Sequence, residues 1–312
     1  MDRRAVLKAM LAASVAPPAL VRSADTETFR PEQLSFANVM QYGAKGDGIK
    51  DDLPAFRAAH DALGPTGGIL TGPQRTYRLG GTLTISNPVT IDFFNTTVAH
   101  YPGHGAILTS KENAPILEYR GIWTRFIGLR NINILGRADG SARSQDGVVV
   151  NNGATTPRLV AGGVRMSNVS IFETGRYGLC VRNSYSGSYD NLYIQGCAHS
   201  GILIDTHCGA NLWRGISTVA NGSVGFNVSS ADGADLVIGL TSEQNQYGIV
   251  LDAGVSGWEF IGTHTEWNSK SPLLFKEKSN GNRVDFLSRG GGNETTPLNR
   301  GGARNRWVDG SS

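Results

Sequence analysis

Charge is scarce in this chain. Of 312 residues, 29 are Lys or Arg and 26 are Asp or Glu. Together they make 18%, where about a quarter is usual, and the formal net charge is only +3. No block of basic residues with interleaved aromatics occurs, so nucleic acid is not an expected partner. Cysteine is rare as well: Cys180, Cys197 and Cys208 lack metal-ligand spacing and cannot all pair with one another. Buried thiols are expected, with a Cys197–Cys208 bridge as the alternative. No continuous apolar run after the N-terminus is long enough to cross a bilayer, so stable membrane insertion is not expected. Helical periodicity is thin, which excludes a coiled coil, while 39% apolar residues argue against a wholly disordered chain.

What is abundant is glycine, 41 residues, pointing to many tight turns between short strands. The first residues read MDRRAVLKAMLAASVAPPALVRSA. Arg3-Arg4 precede a mildly apolar stretch to about Ala19, too short and too Ala-rich to span a bilayer. Paired arginines followed by Val6, Leu7 and Lys8 resemble the bacterial twin-arginine export signal. An amphipathic helix is the other reading, but Pro17-Pro18 would break it. Residues 1–24 are therefore read as an export signal, with a periplasmic or secreted protein following.

Between Ser167 and Phe275 one phrase returns. Tyr177-Gly178, Ser200-Gly201, Val224-Gly225 and Tyr247-Gly248 each open a short β-rich run at a nearly constant interval. Ser271-Pro272 supplies a fifth copy, and Asp146-Gly147 an earlier one, separated from Gly178 by a longer interval that marks an insertion. A regular recurrence of this length means stacked units, none able to bury its apolar face alone. Residues one and three after each Gly are apolar (Leu179/Val181, Ile202/Ile204, Phe226/Val228, Ile249/Leu251). Two-residue periodicity turns them inward. A leucine-rich repeat has a similar period, but its Leu/Asn consensus is missing. The prediction is an all-β, single-stranded parallel β-helix over residues 25–275. Beyond Lys276 the chain turns polar, and 276–312 reads as a terminal coil or loose polar tail.

The N-terminal part differs. Asn38-Val-Met-Gln-Tyr-Gly43 leads into the turn cluster Ala44-Lys-Gly46-Asp47-Gly48. Asp51-Asp52 then open a helix to about Leu63, with Pro54 in its first turn. Phe56, Ala59 and Leu63 share one face, suited to capping an open solenoid end. NVMQYGAKGDGIKDD, followed by the helix, GGIL, GPQRTYRL and TLTI, resembles the N-terminal signature of the pectate-lyase-like superfamily. The resemblance implies a right-handed parallel β-helix and, among its members, polysaccharide lyases, polygalacturonase-type hydrolases and phage tailspike depolymerases. One fold hosts several reactions, so the fold alone does not assign a chemistry.

In the polygalacturonase branch, acidic residues stand just before the strand Gly. Here those positions hold Asp146, Tyr177, Ser200, Val224 and Tyr247, and only Asp146 keeps the acid. Gly103-His104-Gly105 matches that branch's Gly-His-Gly in letters but precedes the repeat, and is read as a turn. The columns offer instead Asp146, Arg176, Tyr177 and His199 on three consecutive rungs, within about 10 Å. That set suits β-elimination from a uronate polymer. Arg176 would offset the sugar carboxylate, His199 or Tyr177 would take the proton, and Asp146 would orient or bind substrate. The plainer reading makes these residues the polar decoration of a solvated face.

A hydrolase needs two carboxylates, about 5 Å apart for retention. Glu243 and Glu266, one repeat apart, fit adjacent rungs. His264 and Trp267 flank Glu266, and with Tyr247 they are candidate sugar contacts. Asp205 is read instead as a cross-rung ion-pair partner of Arg182. No tight Asp cluster lies in the repeats; Asp47, Asp51 and Asp52 are accounted for by the turn and helix start. No cofactor is therefore expected; the resemblance leaves calcium, which some lyases of this fold use, as the alternative. The expected role is an exported enzyme acting on acidic polysaccharide, elimination ahead of hydrolysis. Non-catalytic glycan binding or an adhesin-like rod is the alternative. The outward column Cys180, Leu203, Asn227 and Val250 is largely apolar. A loop or a partner could cover it, leaving a monomer or a tailspike-like homotrimer open.

Overall fold

The computed structural model describes residues 35–94, 105–121, 127–137, 139–151, 163–231, 233–290, 297–302 and 304–309. The export-signal segment and His104 lie outside them. From Leu117 onward the chain alternates between two kinds of strand. Short ones (Leu179–Arg182, Ile202–Ile204, Val224–Val228, Tyr247–Leu251, Ser271–Phe275) form one sheet. Long ones (Ser188–Gln195, Leu212–Val219, Leu236–Glu243, Glu259–Glu266) form the other. Each strand pairs in parallel with its counterpart one repeat later: Leu179 with Ile202, Ile202 with Phe226, Phe226 with Ile249, Ile249 with Leu273. Among the described residues the sheets hold 9 and 14 strands. The fold is a single-stranded right-handed parallel β-helix.

The repeat glycines have a steric cause. A Cβ on Gly178 would stand 2.3 Å from Ile194 Cγ2 and 2.7 Å from the carbonyl of Gly201. One on Gly225 would lie 2.0 Å from Ser242 Oγ. Neighbouring rungs approach too closely there for any side chain, so the glycine serves close packing. The long strands bend midway at residues with positive φ: Asn168, Asn191, Gly215, Gly239 and Gly262. Asn and Gly tolerate that conformation. The bend lets one long strand wall two faces of the coil.

Inside, Leu179, Val181, Ile202, Ile204, Phe226, Val228, Ile249 and Leu251 are fully buried, as their alternation required. The helix α1 (Leu53–Leu63) buries Phe56, Ala59 and Leu63 against the first strands and caps the coil. Asp52 does not cap α1; its carboxylate accepts from the amides of Lys45 and Gly46, while Asp51 accepts from Leu53 and Gly80. All three cysteines are free and buried, so no Cys197–Cys208 bridge forms.

Of the two endings the sequence allows, a further coil is the one seen: Arg283–Gly290 and Arg306–Asp309 extend the long-strand sheet, and Leu298–Asn299 the short one. Its inward positions are chiefly Val284 and Phe286. The outward column is not an open patch. Val149, Cys180 and Leu203 form one buried cluster against Tyr177, and Val224, Val250 and Leu274 another against Tyr247 and Leu298. The single chain already covers that stripe.

Candidate functional site

Where each long strand turns into the next short one, the backbone builds a ladder along one corner of the coil. The amides of Arg176, His199, Ser223, Gln246 and Lys270 each donate to the carbonyl one rung before, at 2.7–2.9 Å. This corner gathers the side chains that the columns had aligned. Arg176 Nε and Nη2 donate to the two oxygens of Asp146 at 2.8 and 2.6 Å. The guanidinium lies 5.0 Å from the centre of the Tyr177 ring, and the Tyr177 ring meets His199 edge-on at 5.2 Å. His199 Nδ1 contacts Ser200 Oγ at 3.1 Å.

The environment separates their roles. Asp146 is 0% exposed, which fits the orienting one of its two expected roles. It positions Arg176, whose pKa rises on that hydrogen bond. Burial pushes the Tyr177 phenol up, against the opposing charge of Arg176, so it stays protonated and is no base at neutral pH. Partial burial and the Arg176 charge push His199 down, keeping its imidazole neutral. The cluster thus offers a fixed cation, a phenol that holds its proton and an imidazole that can accept one.

Further along the same corner, Tyr247 lies under Lys270, whose Nζ is 5.5 Å from the ring centre and 2.7 Å from Gln246 Oε1. Trp267, directly after the long strand Glu259–Glu266, adopts a left-handed turn conformation and is 54% exposed. Glu243 and Glu266 are direct partners on adjacent strands, as their spacing required. His264 stands between them: its Nε2 is 3.2 Å from Glu243 and 3.6 Å from Glu266. Its Nδ1 meets Ser288 Oγ. The ring thus sits among Glu243, Glu266 and Ser288 and stays partly exposed. The three donors lie within 4.8 Å of one another, a cation-sized grouping that the expectation of no cofactor had not foreseen. Asp205 does not pair with Arg182 as expected; it accepts from Thr206 N and Ser229 Oγ, while Arg182 reaches Cys180 Sγ.

One feature of the surface escaped the sequence reading. On the outer side of the long-strand sheet, Arg130, Ser167, Asp190 and Arg214 stack in one column. With Arg165 and Ser188 they line a cleft of about 440 Å³. The same column arithmetic, applied before the mid-strand bend, would have found it.

This architecture, the right-handed parallel β-helix, is shared by known structures. The chain matches ORF18 of Geobacillus virus E2 at a TM-score of 0.62 and 15% identity, over 88% of this chain and 61% of that one. It matches the enzymatically active domain of tailspike protein 2 from bacteriophage CBA120 at 0.56 and 15%, over 83% and 43%. For the Dettilon tailspike protein the values are 0.52 and 13%, over 88% and 62%. The chain therefore spans less than two thirds of the length of each of these proteins. No protein-family model and no curated protein matches the sequence.

Proposed function

We propose that this chain is a carbohydrate-active enzyme that cleaves an acidic, uronate-containing polysaccharide by β-elimination at Arg176, Tyr177 and His199. The observation that carries this reading is the contact chain from the Arg176 guanidinium across Tyr177 to a neutral His199. Support for a glycan substrate comes from the fold, shared with a tailspike domain described as enzymatically active, and from aromatic residues along the same corner. Arg176 pairs with the uronate carboxylate and thereby acidifies the adjacent C–H. His199 takes that proton, the electron pair forms the new C=C bond, and the glycosidic C–O bond breaks. Tyr177 gives its phenolic proton to the departing oxygen. Asp146 holds Arg176 in place, and Tyr247 and Trp267 stack against flanking sugars.

The test is a panel of uronate polymers read for near-ultraviolet absorbance and reducing ends together. Absorbance rising with reducing ends is expected. New ends without absorbance mean hydrolysis and overturn the elimination step, whereas binding without shortening leaves only the adhesin-like alternative. We further infer that residues 1–24 direct twin-arginine export to the periplasm or beyond. Arg3→Lys with Arg4→Lys should strand a fused reporter in the cytoplasm.

A further inference from the structure

We propose that Glu243, His264 and Glu266 form a binding site for a divalent transition-metal ion of the zinc type. Metal bonds of about 2.0–2.2 Å at a tetrahedral angle set neighbouring ligand atoms about 3.4 Å apart. The His264 Nε2 separations, 3.2 Å to Glu243 and 3.6 Å to Glu266, bracket that edge, and the third edge is within 4.8 Å. Charge agrees. Among the described residues neither glutamate is paired with Lys or Arg; their one ion-pair partner is His264. Two carboxylates and one imidazole nitrogen are a donor set that a dication balances.

The histidine is also held as a metal ligand is held. Its Nδ1 is engaged by Ser288 Oγ from the next rung, which fixes the ring and turns Nε2 toward the carboxylates. That contact follows from the ladder register: Phe260 pairs with Val284 and His264 with Ser288, the same offset on either side of a local irregularity at Thr263, which pairs with Phe286. Leu287, beside Ser288, is 72% exposed. One nitrogen and two carboxylates suit a zinc-like ion; calcium asks for six to eight oxygens. All three ligands are partly exposed, so one or more coordination positions open to solvent, where water or a sugar oxygen can enter. The site lies on strands that lead into the Gln246 and Lys270 corner, two rungs beyond His199, and requires neither Arg176 nor His199.

The experiment is calorimetric titration of the full chain, freed of metal by chelation, with Zn²⁺ and separately with Ca²⁺. Co²⁺ absorption serves as a second probe of ligand geometry. One equivalent of Zn²⁺ is expected, with Co²⁺ giving the visible bands of a low-coordinate site and a melting temperature that rises with metal. His264→Ala should abolish binding, Glu243→Gln and Glu266→Gln should each weaken it, and Ser288→Ala should weaken it by about 10–100-fold. His199→Ala should leave it unchanged. Absence of Zn²⁺ and Co²⁺ binding overturns the site, as does binding that survives both His264→Ala and Glu243→Gln, or a preference for Ca²⁺. The glutamine variants keep side-chain shape, so a folding failure of His264→Ala does not protect the proposal.

Discussion

Asp146 and Arg176 belong to one ion pair but sit in different media: the carboxylate is buried, while the guanidinium is partly open to water. The two ends are therefore not equivalent to mutation. Arg176→Ala strands an uncompensated charge inside the coil and should cost about 3 kcal/mol. Asp146→Asn releases a cation that water can solvate, keeps an oxygen for the Tyr177 amide, and should cost clearly less. Denaturant melts of the two variants check the order. His199 makes the second prediction at this scale. Its folded pKa lies below its ordinary value, so the neutral base is available at neutral pH, and cleavage should fall off only below about pH 6.5. His199→Ala should lower the rate by about 10²–10⁴-fold and abolish that acid limb. The same sign governs stability. The contribution of this histidine is present above its unfolded pKa and is lost as pH falls through the folded one. None of these assignments was readable from residue type alone, because Arg, Tyr and His acquire their roles from who is buried beside them.

At the scale of the element, the corner is stiffened by a ladder of buried asparagines. Asn245 Oδ1 accepts from the amide and side chain of Asn221. Its own amide group donates to Thr218 O, Ser242 Oγ and Asn268 Oδ1. Asn245→Ala would leave several of these groups unpaired away from water. A loss of about 2–4 kcal/mol is expected, measured by urea unfolding, because each orphaned group carries its full desolvation penalty. The glycines, the alternating apolar positions and α1 were all legible in the letters, since each answers to a local rule of spacing. The mid-strand bends were less so. Asn191 and Gly215 fill the same left-handed position with different residue types, which blurs the column to a reader of sequence.

For the whole molecule, the covered stripe on the short-strand sheet has a consequence. Cys180, Leu203 and Val250 are buried within one chain, so no partner is needed to remove them from water. The purified chain is expected to show a single-chain mass by light scattering at micromolar concentration. A trimer mass would mean that some other surface drives assembly, and the exposed Ile238 and Ile261, neighbours on adjacent strands, would be the first place to substitute charge.

The recurring Gly phrase and its near-constant spacing determined the coil, its inward columns and the set of side chains on each flank, because parallel stacking converts distance along the chain into adjacency in space. What the letters could not carry was orientation and register in the last ångström. Burial left Asp146 the orienting one of its two expected roles, and the pairing of His264 with Ser288 set a hydroxyl against the imidazole. Both effects arise from burial and ladder geometry summed over neighbouring rungs, quantities that exist only once the chain has closed on itself.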